Sequence, residues 1–524
     1  MQIIAEVRQA GVTAEELTKA KKISLSHHLG ALTTMRGQAS DVGSNWLLTR
    51  NLNFSRDYLD AVQKVTLDDI KGVTAKYLTN ENLTLVSLNP KGSLVAKREG
   101  PAPVSEGEVQ KFELSNGLRI LVREDPRLPL VAMGAVFRGG LLAEAPQTNG
   151  ITRLMAKVLL KGTKTRTAEQ IANEIEAVGG SISSDAGNNS CSIALDVTKP
   201  DLKLGVELLS DVMLNATMPE KAIAREKEIQ IAGIKQEEEQ LTTVARNILR
   251  QALFTGHPYA LRANGSVDSI QRLTQKDLLA FRDHYLVAKN GVVAVFGNVK
   301  ATEVKQLFEH ALGAMKPGAL ALTDAHPAAP LSKTEAVESR KEKTQSVIMV
   351  GYRGADVFSP DRHALELIDE ASSDIGSRFF IRIREQMGLA YYVGASQMPG
   401  LVPGLFAFYL GTDPQKVEPV KTALLDEIRK LASDGLTNDE LTRAKKKLIG
   451  QQQIANQSND SFGYQCALDE LYGLGFDHYK SLERDVEAVT LDDTKRVAAK
   501  YFRDQPYVLA TVRPPDGSAA AKKN

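Results

Sequence analysis

Metal binding and nucleophilic catalysis draw on histidine, cysteine and paired carboxylates, and this chain offers few of them. Its two cysteines, Cys191 and Cys466, can build neither a disulfide framework nor a cysteine zinc site, and read as small buried hydrophobes. His27 and His28 are adjacent, so on a helix they point about 100° apart and cannot share a metal. His363-x-x-Glu366 has helical spacing but no second histidine, which leaves a weak two-ligand site at most. His257, His284, His310, His326 and His478 have no such neighbour, and each reads as a surface or satisfied core histidine. The run Glu237-Glu238-Glu239 reads as a solvated helix face.

Composition narrows the class. With 43% apolar and 25% charged residues the chain has the make-up of a soluble globular protein. Its 524 residues exceed what one core can hold and point to three or four units of domain size. Sixty-five basic against 64 acidic residues leave a net charge of +1, so nothing in the charge balance calls for nucleic acid or an anionic membrane. No run of eighteen apolar residues occurs, and residues 1–25 read as a charged amphipathic helix without a secretory core.

The positioning elements are disclosed by a repeat. Gly11-Val-Thr-Ala-Glu-Glu-Leu-Thr-Lys-Ala-Lys-Lys22 returns as Gly435-Leu-Thr-Asn-Asp-Glu-Leu-Thr-Arg-Ala-Lys-Lys446, and Val65–Tyr77 returns as Val489–Tyr501. Both offsets are 424 (435 − 11 and 489 − 65), so residues 1–93 match the C-terminal region without a gap. A weaker third copy, Leu273–Tyr285, lies 208 residues beyond Val65–Tyr77 (285 − 77) and 216 before Tyr501 (501 − 285). Each copy has a Thr-x-x-Asp helix start, a closing tyrosine and then an apolar strand, at Leu83–Leu88, Gly291–Phe296 and Tyr507–Val512. So long a period means duplicated domains rather than a solenoid. The second copy follows a stretch, residues 336–424, that the first lacks, so the chain is expected to begin inside a domain.

Local chemistry supplies the remaining elements. Thr13-x-x-Glu16, Thr167-x-x-Gln170 and Thr437-x-x-Glu440 have the form of capping boxes. Asn116-Gly117 between Phe112-x-Leu114 and Leu118-x-Ile120-x-Val122 predicts a β-hairpin. Leu130–Phe137 and Ile193–Val197 read as strands, and Ala168–Val178, Leu202–Leu214 and Glu220–Phe254 as amphipathic helices. The fold class is therefore α+β: duplicated domains, each an antiparallel sheet covered by long helices. Pro, Gly and Ala mark linkers at 96–110 and 316–334. The division is then residues 1–95 as the end of one domain, 111–315 and 335–514 as whole domains, and 515–524 as a disordered tail.

Gly150-Ile-Thr-Arg-Leu-Met-Ala-Lys-Val-Leu-Leu-Lys-Gly-Thr163 and Thr167–Gly180 resemble the first helices of the pitrilysin/insulinase family of zinc peptidases. His257-Pro-Tyr259, the stretch Leu273–Val299 and Ser377–Tyr391 resemble later parts of the same family, in the same order. In that family the first helix carries His-x-x-Glu-His, with two zinc-binding imidazoles and a glutamate base, and a further glutamate ligand lies about 75 residues on. The matching positions here are Arg153, Ala156, Lys157 and, near the last, Gly233. Arginine does not deprotonate in proteins and two cations one turn apart repel a metal, so no catalytic zinc is expected in this chain.

The resemblance also implies roles for Arg384 and Tyr391, kept at the family's spacing around Gly388-Leu389-Ala390. In full-length members such a pair lies outside the zinc domain and closes over the substrate, where a guanidinium and a phenol can orient a peptide carbonyl and stabilise its oxyanion. The expected function is thus the non-zinc half of a double-length metalloendopeptidase, acting on unfolded peptide with a zinc-bearing half as its partner. By the offset, an intact His-x-x-Glu-His is expected 271 residues (424 − 153) before Met1, or in a partner chain. The alternative is a non-catalytic partner or structural subunit of a larger complex. The resemblance to double-length bacterial members carries an expectation of a periplasmic location.

Overall fold

The structure is a computed structural model that describes residues 6–8, 10–14, 16–18, 20–21, 35–79 and 107–516. Contacts divide the chain into two compact units, residues 1–102 and 103–524. The expected strand Leu83–Leu88, the pair His27-His28 and most of the 96–110 linker lie outside the described residues.

In the first unit, Glu16 Oε2 accepts from the Thr13 amide (2.7 Å) while Thr13 Oγ1 accepts from the Glu16 amide (3.2 Å), which closes the expected capping box. Helices α1 (Met35–Thr49), α2 (Phe54–Lys64) and α3 (Leu67–Tyr77) follow, α3 opening on the Thr66/Asp69 box. Lys21 Nζ clamps the end of α2 by donating to the Gln63 and Val65 carbonyls at 2.9 and 2.6 Å.

The second unit holds two sheets. The first has the order β1 (Gln110–Glu113), β2 (Arg119–Glu124), β6 (Gly291–Gly297), β3 (Leu130–Arg138), β5 (Ser190–Thr198), β4 (Ser181–Ala186). All pairs are antiparallel except β2 with β6. The β1–β2 hairpin turns at Asn116-Gly117, where Gly117 takes φ +89° and Asn116 Nδ2 donates to the Leu312 carbonyl at 2.7 Å. Strand β4 escapes the sequence reading because Ser-Ile-Ser-Ser-Asp-Ala offers a single large apolar residue; pairing with β5 makes it a strand.

Against one face of this sheet pack α4 (Ile151–Leu159), α5 (Ala168–Ala177) and α6 (Leu202–Asn215), with α7 (Glu220–Glu237) beside α4. The sequence reading of one helix over Glu220–Phe254 is corrected: the chain breaks at 238–240 and resumes as α8 (Leu241–Leu253). Glu238 pairs with Arg262 (3.3 Å) and Glu239 with Lys343 (2.6 Å), which holds the break open. No glycine or proline announces it. The stretch then runs through α9 (Gln275–Tyr285), capped by Thr274 and Asp277, β6 and α10 (Ala301–Leu312).

The second sheet has the order β7 (Glu335–Arg340), β11 (Val508–Arg513), β8 (Ser346–Arg353), β10 (Leu405–Thr412), β9 (Tyr392–Met398), with β7 and β11 parallel and the rest antiparallel. Its helices are α11 (Arg362–Ser373), α12 (Val417–Asp434), α13 (Asn438–Ala455), α14 (Asn459–Tyr472), α15 (Tyr479–Ala488) and α16 (Leu491–Phe502). The lysine clamp recurs here, Lys445 Nζ donating to the Glu487 carbonyl at 2.6 Å, and Lys227 does the same to Gln271 at 3.0 Å. Both Lys21/Lys445 and Gln63/Glu487 keep the offset of 424 (445 − 21 and 487 − 63).

The two sheets exchange helices. α14 leaves its own sheet and buries Phe462, Cys466, Ala467 and Leu471 against Leu121, Val136, Ala294 and Phe296 on the outer face of the first. In return α8 lays Val244, Ala245 and Leu249 on Val347, Met349, Ala510 and Val512 of the second. The approach is close: a Cβ on Gly351 of β8 would meet Leu249 Cδ2 at 2.7 Å. Asp125 fastens the crossing α14 at its first residue, accepting from Asn459 Nδ2 (3.0 Å) and doubly from Arg127 (2.7 Å).

Leu249→Ala is expected to cost about 2–5 kcal/mol, read as a lower urea midpoint, because the cavity opens between two packed layers. The Arg127 hydrogen bonds, foremost, bring the Asp125 carboxyl down from 3.8 to about 2. A lowered carboxylate stabilises the fold above its unfolded value and loses that contribution as pH falls through the folded one. Wild type should therefore lose stability relative to Asp125→Asn between about pH 4 and pH 2, measured as the difference in melting temperature across that window.

Candidate functional site

The degenerate metal position is well built but carries the wrong donors. Glu144 sits at the N-terminus of α4, accepting from Gly150 N (2.7 Å), Asn149 Nδ2 (2.8 Å) and Thr152 N (3.1 Å). Burial pushes its carboxyl up, against those hydrogen bonds. The sequence reading missed Glu144; its place just before the helix was the available signal. The apolar side of α4 (Ile151, Leu154, Met155, Val158, Leu159) is buried in the first core.

The other side of α4 meets edge strand β4. Lys157 Nζ donates to the Ser184 carbonyl (3.1 Å), and Arg153 reaches the Ala186 carbonyl (3.5 Å) and the Asp185 carboxylate (3.9 Å). Gly187 N donates to Ser190 O across the β4–β5 turn, so the alternation of an antiparallel ladder leaves Ala186 and Ser184 facing away from β5. The cations thus bind the outward carbonyls of the sheet edge. Ala156 is buried and contributes only its carbonyl, to Ser184 Oγ at 2.6 Å. Gly233 on α7 has no side chain to offer. A guanidinium, a methyl group, an ammonium and a bare backbone do not fit zinc.

His257, His363 and His478 make polar contacts through their rings. His257 Nε2 lies 3.0 Å from the His326 carbonyl. His363 Nδ1 meets Glu366 (2.8 Å), His478 Nδ1 meets Asp469 (3.2 Å), and the Arg362 guanidinium lies between the two Nε2 atoms. Sequence spacing showed the His363/Glu366 pair but could not bring His478 to it.

Arg384 and Tyr391 lie on a different kind of segment. Residues Phe380–Gln386 form a π-helix, with Met387 N bonded five residues back to the Arg382 carbonyl at 3.1 Å. Such turns are rare and concentrate at functional positions because they cost regular hydrogen bonding. Phe379 and Ile383 anchor it in the second core. Its neighbours on the chain are tied down: Arg378 by Glu440 (2.8 Å) and the Gly435 carbonyl (2.9 Å), Arg382 by Gln386 (3.2 Å). Arg384 is exposed and makes no ion pair or hydrogen bond among the described residues; its guanidinium rests 4.6 Å from the Phe380 ring.

The turn after it is held by its backbone. Gly388 takes φ +60°, its carbonyl accepting from Lys416 Nζ at 3.0 Å, and Leu389 O accepts from Thr412 Oγ1 at 2.6 Å. Tyr391 N donates to Gly411 O at 2.8 Å, which leaves the phenol 47% exposed just before edge strand β9. Partial burial, and then the Asp413 carboxylate, push the phenol up, so it stays a hydrogen-bond donor at neutral pH. No hydrogen bond joins Arg384 to Tyr391 among the described residues.

Residues 119–265 match the family Insulinase (Peptidase family M16), and residues 272–448 match the Peptidase M16 inactive domain. The chain belongs to this family. A zinc protease of Bacillus subtilis is 23% identical over 410 residues, 78% of this chain and 98% of that one. A peptidase M16 inactive domain from Pseudomonas fluorescens superposes with a TM-score of 0.73 at 23% identity over 78% of this chain and 98% of its own. A chain of complex III2 from Candida albicans does so at 0.67 and 17%, covering 78% and 96%. These structural likenesses speak for the fold.

Arg378→Ala should lower stability by about 3 kcal/mol, because it strands the Glu440 carboxylate in a buried setting, whereas Arg384→Ala should leave the melting temperature within about 1 °C of wild type.

Proposed function

We propose that this chain is the non-zinc half of an insulinase-type metalloendopeptidase and presents Arg384 and Tyr391 to peptide held by a zinc-bearing half. The observation that carries the reading is Arg384: exposed, without an ion pair among the described residues, and held on a π-helix. In this reading the guanidinium and the phenol both donate to the scissile carbonyl oxygen, and their donation strengthens as that oxygen gains charge. Donors fixed beforehand by Phe380, Thr412 and Lys416 pay little reorganisation at that moment. The partner's zinc would supply the activated water. Arg153 and Lys157 occupy the edge of the corresponding sheet here, so the peptide is held elsewhere, on the half with an open edge.

A purely structural subunit is the second reading. It leaves the bare guanidinium of Arg384 without a role, which is why we favour the peptidase half.

The test is reconstitution with the zinc-bearing half. The chain alone should not cleave peptide; the assembled enzyme should, and Arg384→Ala or Tyr391→Phe should each lower kcat/KM by about 10²-fold without changing assembly. Wild-type rates in both variants would sink the assignment.

A further inference from the structure

Helix α1 exposes an apolar face whose counterpart elsewhere in the chain is a sheet-covering face. The repeat offset of 424 superimposes α1 on α14 (459 − 35). On α14 the buried residues Phe462, Cys466, Ala467 and Leu471 lie on the outer face of the first sheet. The same stations on α1 are Gln38, Val42, Gly43 and Leu47, with Trp46 and Leu48 at the stations of Glu470 and Tyr472. Val42, Trp46, Leu47 and Leu48 are 47, 49, 70 and 79% exposed. Helix α8 is a second example of the same device, since it too leaves its own sheet to cover another.

We infer that the Val42/Trp46/Leu47 face of α1 docks on the outer face of the mixed sheet of a further peptidase-type domain, as α14 docks on β3 and β6. The partner sheet differs from the first sheet of this chain in one respect. Glu470 meets Lys111 (3.1 Å) and Arg119 (3.5 Å), whereas Trp46 at that station cannot neutralise two cations. The partner sheet therefore presents an apolar surface there. The large apolar area and the short covering helix suit a permanent sheet-to-helix contact, because such a face left in water is an aggregation liability. The inference rests on the proposed pairing with a peptidase half. Its readouts involve neither zinc nor cleavage, so inert Arg384 and Tyr391 would leave it standing.

The test extends the full chain at its amino terminus with a second copy of residues 107–424, the segment that precedes the station of Met1 in the repeat (1 + 424 = 425). In the added copy Lys111 and Arg119 are changed to Leu. Trp46 is the only tryptophan of the chain and reports directly. Acrylamide quenching should fall several-fold and emission move to shorter wavelength on extension, and Leu47→Asp in α1 should reverse both. A second extended chain keeps Lys111 and Arg119 in the copy and carries Trp46→Glu, restoring the ion pairing of Glu470; trypsin should then spare residues 35–78. Unchanged quenching, insensitivity to Leu47→Asp, or an extension that gains no helix by circular dichroism would overturn the inference. So would a Trp46 shift when the unextended chain meets phosphatidylglycerol vesicles, because that outcome marks a lipid-facing helix.

Discussion

The second unit depends on a mutual exchange in which each sheet is covered by a helix that belongs to the other. A sheet is apolar on both faces here: β6 is buried along its whole length. Its own helices cover only one side. The other side must be closed from outside, and the sequence supplies one crossing helix per domain. Breaking α7 from α8 at residues 238–240 is the backbone cost of that arrangement, and Asp125 on Asn459 is one of its fasteners. Neither sheet can be fully closed unless the other is present, which makes the pair one cooperative body.

That constraint explains how the fold keeps its shape with no zinc donors at residues 153, 156, 157 and 233. The stability of α4 comes from its apolar face and from Glu144 at its N-terminus, not from ligands. Its other face was free to change, and Arg153 and Lys157 now bind the edge of β4. The turn from Phe380 to Tyr391 carries a π-helix that Ile383 anchors in the core, a left-handed glycine, and an arginine that has no ion pair among the described residues. In a family member whose ligand positions are lost, this is where unexplained polar chemistry remains.

Much of this was legible in advance, for a physical reason. Capping boxes at Thr13, Thr167, Thr437 and the Thr-x-x-Asp starts depend on residues three apart, and they form as read. The Asn116-Gly117 hairpin depends on two. Alternation and helical periodicity placed β3, α5 and α6 to within a residue, whereas β5 begins at Ser190, three residues before the expected Ile193. By contrast, β4 is a strand only because β5 lies beside it, and His478 joins Arg362 across 116 residues of chain.

The sequence by itself determined the duplication, the cap and turn chemistry, the absence of zinc donors at residues 153, 156, 157 and 233, and the spacing of Arg384 and Tyr391. Each is a matter of residue type and short-range order. Only the tertiary structure decided which helix covers which sheet, where the long helix breaks, that Arg153 and Lys157 bind a sheet edge, and that Arg378 is paired while Arg384 has no ion pair among the described residues. Those outcomes turn on partners tens to hundreds of residues away, such as Asp125 with Asn459 or Arg378 with Glu440, and composition and periodicity carry no information about which distant group will be there.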